Sequence, residues 1–266
     1  MNKCLVVTLA AGLVAAIGTP FAAAAGESQE EGGPRRGLGA GVVATDSPYA
    51  GEGARTTPFP LVSYEGEKFF FRGITAGWRF IQSGGFTLGG ITKMRLDGFD
   101  IDDLGREELA LNGLDYRLLE DRDDGFDMGL SAEWSGDAGV IEFELLADAT
   151  GTSGGYQASI AYGYPIQLGK MRVTPNVGVK WLSDDLANYY YGTLDEEVAR
   201  GVVDYKPDAA AISHVGIDVS RPIGQKWAIL ASLEYRALPN GLKASPLIEQ
   251  GRDDETSLFI GISRGF

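Results

Sequence analysis

The 266-residue chain has a single cysteine, Cys4, and a single histidine, His214. One cysteine near the start leaves no disulfide framework and no thiol catalyst in the body of the chain. One histidine without cysteine partners cannot build a zinc site. Beyond residue 25 no stretch offers the roughly 18 consecutive apolar residues of a membrane-crossing helix. Positive charge is in deficit: 23 Lys and Arg stand against 37 Asp and Glu, a formal net charge of −14. That balance argues against nucleic acid as a partner and against docking on anionic lipid through net charge. Helix-period apolar patterns are scarce as well.

What is present begins with MNKCLVVTLAAGLVAAIGTPFAAAA, residues 1–25. One Lys, an apolar run from Leu5 to Ile17 and small residues at Ala22 to Ala25 give the layout of a secretory signal peptide. Residues 26–36, GESQEEGGPRR, read as a flexible periplasmic leader, and a β-domain is expected over 37–266.

From Leu38 onward the dominant signal is period-two alternation. In GYQASIAYGYPI, one face carries Tyr156, Ala158, Ile160, Tyr162, Tyr164 and Ile166, and the other Gln157, Ser159, Ala161 and Gly163. GFDMGLSAEW sets Phe126, Met128, Leu130, Ala132 and Trp134 against Asp127, Gly129, Ser131 and Glu133. KWAILASLEYRA sets Trp227, Ile229, Ala231, Leu233 and Tyr235 against Ser232, Glu234 and Arg236. Such runs are about 10 to 12 residues long, twice the usual soluble strand, and aromatics sit near their ends as in a bilayer's interfacial girdle. Short connections (82–85, 135–138, 168–170, 223–225) alternate with long ones (99–124, 183–210, 237–254).

This pattern predicts an all-β fold, a transmembrane antiparallel up-and-down β-barrel in the bacterial outer membrane. Alternation by itself also fits a soluble sandwich or lipocalin-like barrel. Long apolar faces that mix Gly and Ala with large residues favour lipid, as does the chain's end. There TSLFIGISRGF places Leu258, Ile260, Ile262 and Phe266 on one face, the form read by the barrel-assembly machinery, with Arg264 as a departure from it. Eleven strands can be counted. A closed bacterial barrel needs an even number, so twelve are expected, with ten as the alternative, and the miscount is placed between Pro58 and Phe80.

Several stretches together resemble the MltA-interacting protein (MipA)/OmpV family of outer-membrane proteins. They are GLGAGVVATDSPYAGEG, PFPLVSYEGEKFFFRG, the 111–130 run, YGYPI, NYYYGTLDEEVARG with YKP, SPLIEQ and the last strand. The resemblance implies a pore-sized barrel. For one branch it implies a scaffold linking a lytic transglycosylase to a peptidoglycan synthase.

Chemistry is thinly signalled, and no enzyme is expected. His214 falls on the face with Gly216, Asp218 and Ser220, where an interior hydrogen-bonded histidine is the simpler reading than a hydrolase triad. In LDGFDIDDLGREEL, Asp97, Asp100, Asp102 and Asp103 miss the calcium-loop spacing because Leu104 occupies the third ligand position. A solvated acidic loop near lipopolysaccharide phosphates is the expectation, with no metal or cofactor.

By alternation the inward face carries Lys93, Arg95, Arg172, Lys180 and Arg236 against Asp127, Glu133, Glu142, Glu144, Asp148, Asp218 and Glu234. Charges of both signs within reach of one another should pair, which points to a narrow or blocked interior.

One loop stands out. In NYYYGTLDEEVARGVVDYKP, Tyr189, Tyr190, Tyr191 and Gly192 precede a short helical run with Glu196 and Glu197, and Tyr205 follows. Two readings stand: a lid packed over the barrel, or a surface loop with girdle tyrosines. The functional expectation is a structural or scaffold protein of the envelope, with peptidoglycan hydrolase and synthase as partners. The alternative is a narrow solute channel gated by the tyrosine-rich loop.

Overall fold

The computed structural model describes residues 35–266. The signal-peptide expectation and nearly all of the leader lie outside the described residues. The strands are β1 (Arg35–Asp46), β2 (Ala54–Glu65), β3 (Phe69–Arg72), β4 (Thr75–Ser83), β5 (Phe86–Arg95), β6 (Gly125–Gly136) and β7 (Gly139–Asp148). They continue with β8 (Tyr156–Gly163), β9 (Ile166–Leu168), β10 (Met171–Leu182), β11 (Ala210–Ile223), β12 (Trp227–Ala237) and β13 (Asp254–Gly265). The first strand thus begins two residues ahead of the boundary expected at 37.

β8 and β9 both pair with β10 and are two pieces of one wall strand, broken at Tyr164 and Pro165. Each wall strand is antiparallel to its neighbours, and β13 returns to pair with β1 from Gly37↔Gly265 to Asp46↔Thr256. The result is a closed 12-strand barrel. The stretch counted as one strand over 67–81 is two, β3 and β4, which turn at Gly73 (φ 58) in a conformation open to glycine. That split brings eleven to twelve, within the interval where the miscount was placed.

The apolar face points outward. Met128, Ile160, Val177, Val215, Leu233 and Ile260 are all exposed, while their strand neighbours Asp127, Asp218 and Glu234 are buried. A soluble barrel inverts this arrangement. Closure from β13 to β1 and from β10 to β11 pairs most backbone groups of the wall within the sheet, as hydrocarbon surroundings demand. No helix among the described residues is long and apolar enough to cross a membrane.

The short turns at 66–68, 84–85, 137–138, 169–170 and 224–226 lie at the end that holds both described termini. The loops 47–53, 96–124, 149–155, 183–209 and 238–253 lie at the other, with the tight β3–β4 turn between the first two. At the turn end Arg264 reaches over Trp227 and Phe266, its guanidinium carbon 5.7 and 5.0 Å from their ring centres. A cation held against interfacial aromatics accounts for the departure noted at this position. Leu258, Ile260, Ile262 and Phe266 all stand exposed on the outer surface.

Candidate functional site: a cap over a charged interior

Four of the long loops fold together into one apolar core above the barrel mouth. Tyr49 and Ala50 come from the first loop, Phe99, Leu109 and Leu114 from the second, Leu186, Tyr190 and Tyr191 from the fourth, and Leu242 and Leu247 from the last. Backbone bonds stitch the loops: Ala50 N–H donates to Leu247 O (2.9 Å), Gly105 N–H to Ala50 O (2.9 Å), and Glu249 N–H to Pro48 O (3.0 Å). Asn112 adds two side-chain donations, to Pro246 O at 2.9 Å and Ile248 O at 2.8 Å.

The tyrosine loop is more helical than its sequence suggested. After a first short helix in the 96–124 loop, α1 (Arg106–Leu111), the expected short run appears as α3 (Asp195–Ala199), but the tyrosines themselves lie on a preceding helix, α2 (Asp184–Tyr191). Ser183 caps α2 by accepting from Leu186 N–H at 3.3 Å, and Asp184 and Asp185 suit the positive end of its dipole. Leu186, Ala187, Tyr190 and Tyr191 then face inward at the spacing of one helix side. Tyr190 and Tyr191 are buried and Tyr189 is half-buried.

These rings also bond. Tyr49 packs tilted against Phe99 and stacks on Tyr191 (centres 4.4 and 6.0 Å), and its hydroxyl donates to Tyr190 O at 3.1 Å. Tyr190 Oη donates to Asp123 O at 3.0 Å, and Tyr205 Oη to Gly241 O at 2.6 Å. Burial raises the pKa values of Tyr49, Tyr190 and Tyr191, so all three stay neutral. Gly192 O accepts from Arg122, and Glu196 lies on the solvent side of α3.

Glu197 is the anchor of α3 and has no exposed side-chain surface. It accepts from Leu194 N–H (2.7 Å) and Glu120 N–H (2.8 Å) and forms a two-pronged pair with Arg122 (2.9 and 3.0 Å). Arg122 was not among the residues singled out from the sequence. It donates as well to the carbonyls of Tyr189, Glu120 and Gly192, so all five of its N–H groups are used.

Beneath the cap the inward residues come together as pairs. Arg95 grips Asp127 through two bonds, one of 3.0 Å from Nε. Lys93 approaches Glu144 at 3.4 Å, and Arg236 joins Glu234 (2.5 Å) and Glu255 (2.9 Å). Asp218 accepts from Asn176 at 2.7 Å. Among the described residues Glu133 and Glu142 form no ion pair; they stand directly opposite each other on the β6–β7 ladder. Arg172 sits near the turn end, in register with Ser220. A cavity of about 100 Å3 lies among Lys93, Arg95, Asp97, Lys180, Glu234 and Arg236, with His214 and Glu142 also on its wall.

Two residues here escaped the sequence reading. Glu255 is inward on β13, and Asp97, assigned to a solvated acidic loop, turns into the barrel beside Lys180 and Arg236. Of the other acidic loop residues, Asp102 lies 3.8 Å from Arg106 on the exposed surface.

The sequence matches the MltA-interacting protein MipA family over residues 38–266. The chain belongs to that family. Among its relatives are the putative outer membrane protein YiaT of Escherichia coli (strain K12) and the MltA-interacting protein of the same strain. YiaT is 28% identical over 258 residues, which cover 96% of this chain and 98% of the relative. The second is 28% identical over 236 residues, covering 88% and 92%. OmpV of Vibrio cholerae is 25% identical over 140 residues, about half of each chain (53% and 52%). Among solved structures, an outer membrane channel from Pseudomonas putida F1 aligns with 90% of this chain and 97% of its own, at a TM-score of 0.45 and 12% identity. Family members are named outer-membrane proteins, and this chain is an outer-membrane barrel.

Proposed function

We propose that this family member is a channel for small solutes whose outer mouth is closed in the resting state by its own loops. The observation that carries the reading is the cavity under the cap, where cations and anions line one space and the loop core forms its roof. Paired charges on the inner wall hold water and small ions on favourable terms, while the apolar cap excludes them. Opening then moves the 183–209 and 96–124 segments together, since Arg122, Glu197 and the tyrosines tie one to the other. Flux of small sugars and ions into proteoliposomes tests the reading: the intact protein should be nearly impermeable and a form lacking 184–204 permeable. Equal impermeability of the two contradicts it.

A second reading, a scaffold for peptidoglycan-remodelling enzymes, is favoured by the name of the MltA-interacting relative. Its physical difficulty is the small periplasmic surface, five turns of two or three residues among the described residues. Binding of a purified lytic transglycosylase to the intact barrel in nanodiscs supports this reading, and no binding at micromolar concentration counts against it.

A further inference from the structure

The barrel wall is interrupted on one side. β3 has only four residues, and β2 pairs with it only from Ser63 to Glu65. On that side, among the described residues, no strand pairs with β2 between 54 and 62. The backbone there points at the gap in a known phase. Val62 O accepts from Gly73 N–H at 2.9 Å, so the even-numbered residues of β2 direct their N–H and C=O groups toward β3, and the odd-numbered ones toward β1. The next even positions above Val62 are Pro60, Pro58 and Thr56. Proline has no N–H, so two of the donors that would face hydrocarbon unpaired are absent. Prolines spaced two apart on this side mark residues 54–62 of β2 as an edge within the wall.

The inner side of the gap is apolar, unlike the wall around the charged cavity. Ile74 at the hairpin tip and Leu96 just after β5 are buried together with Val43 and Phe259, and Phe59, Leu61 and Leu230 pack against them. Val43, Phe59, Leu61, Leu230 and Phe259 all face inward on adjacent strands, so a hydrocarbon track runs across the inner wall from β12 to the gap. Phe259 packs against Gly41 and Gly261, where an added Cβ would collide with its ring. Ile74 and Leu96 fill the gap from within.

We propose that this interruption is a lateral portal, closed by Ile74 and Leu96, through which the acyl chain of a bilayer lipid reaches the inner-wall track of Phe59, Leu61 and Phe259. The outside of the wall is lipid, the edge has been relieved of donors, and the inner surface is apolar; an acyl chain is the occupant that matches all three. The inference concerns the wall and stands whether or not the cap ever opens.

The test uses the full protein in vesicles containing a phospholipid with a photoactivatable diazirine on its acyl chain, with adducts mapped residue by residue. Pro60, Val62, Leu258 and Ile260 face lipid directly and serve as the internal reference. The portal predicts additional adducts on Phe59, Leu61 or Phe259. Adducts confined to the outward set overturn it. The double variant Ile74→Ala with Leu96→Ala should raise the inward adducts several-fold against Ile260, and an unchanged ratio removes those two side chains as the closure. If that variant does not give the heat-modifiable band of a folded barrel, the map on the unaltered protein decides alone.

Discussion

Arg122 and Glu197, 75 residues apart in sequence, form a two-pronged ion pair with no side-chain surface exposed on either. The pair ties α3 to the strand-like stretch that leads into β6. Every N–H of the arginine has an acceptor, and the carboxylate accepts two backbone donors besides. Breaking a buried pair from one side leaves a charge without water or partner, which costs about 3–5 kcal/mol. Arg122→Ala should therefore loosen the cap by that order while the wall stays folded. Hydrogen exchange in 184–209 should rise to that extent with strand protection unchanged; uniform protection throughout would show that the cap does not depend on the pair.

Tyr49 separates packing from hydrogen bonding. Tyr49→Phe keeps the packing against Phe99 and Tyr191 and removes only the donation to Tyr190 O, an expected loss of about 1 kcal/mol. Tyr49→Ala empties the centre of the cap core and should cost about 3–5 kcal/mol. Exchange rates in the 47–53 and 96–124 loops read both, and similar losses for the two substitutions would contradict the assignment.

The cap should tighten as pH falls. Loss of hydration pushes the Asp124 carboxyl up to about 6 from an ordinary 3.8, the charge of Asp97 adds to this, and the bond from Gly98 N–H opposes it. Asp100 is raised as well, by desolvation and then by Asp121 and Asp103. A carboxyl with a higher pKa folded than unfolded binds its proton more tightly in the folded state. Its contribution is thus complete below about pH 4 and is lost as pH rises through 6. Protection of 96–124, corrected for intrinsic exchange, should be greater at pH 5 than at pH 7.5, and Asp124→Asn should flatten the difference.

Lipid contact has its own test. Ile260 is outward and half exposed on β13, so Ile260→Arg near the middle of the bilayer should cost about 2–4 kcal/mol of barrel stability. Urea unfolding in vesicles measures it. Arg264 bears no such cost, because its guanidinium is held against Trp227 at the membrane boundary.

How much of this was legible depends on how local the signal is. Alternation put Lys93, Arg95, Asp127 and Glu144 on one inward face, but the pairs Arg95 with Asp127 and Lys93 with Glu144 come from the register and reach of the side chains across strands. Strand number was ambiguous only where β3 is too short to show a period of its own. The cap was half legible. Tyr190 and Glu197 drew notice by composition, but α2 was hidden because the three tyrosines read as loop, in a lid or at the girdle; the Ser183-Asp184-Asp185 cap and the Leu186, Tyr190 spacing were the available signs. Arg122 carried no sign, since its partners come from a loop far along the chain. Asp97 misled because an acidic run reads as solvated unless the fold above it is known.

Single-channel recording in a planar bilayer tests the closed barrel most directly. The intact protein should be silent, and the form lacking 184–204 should show steady conductance. Steady channels in the intact protein, or silence in both, would contradict the account.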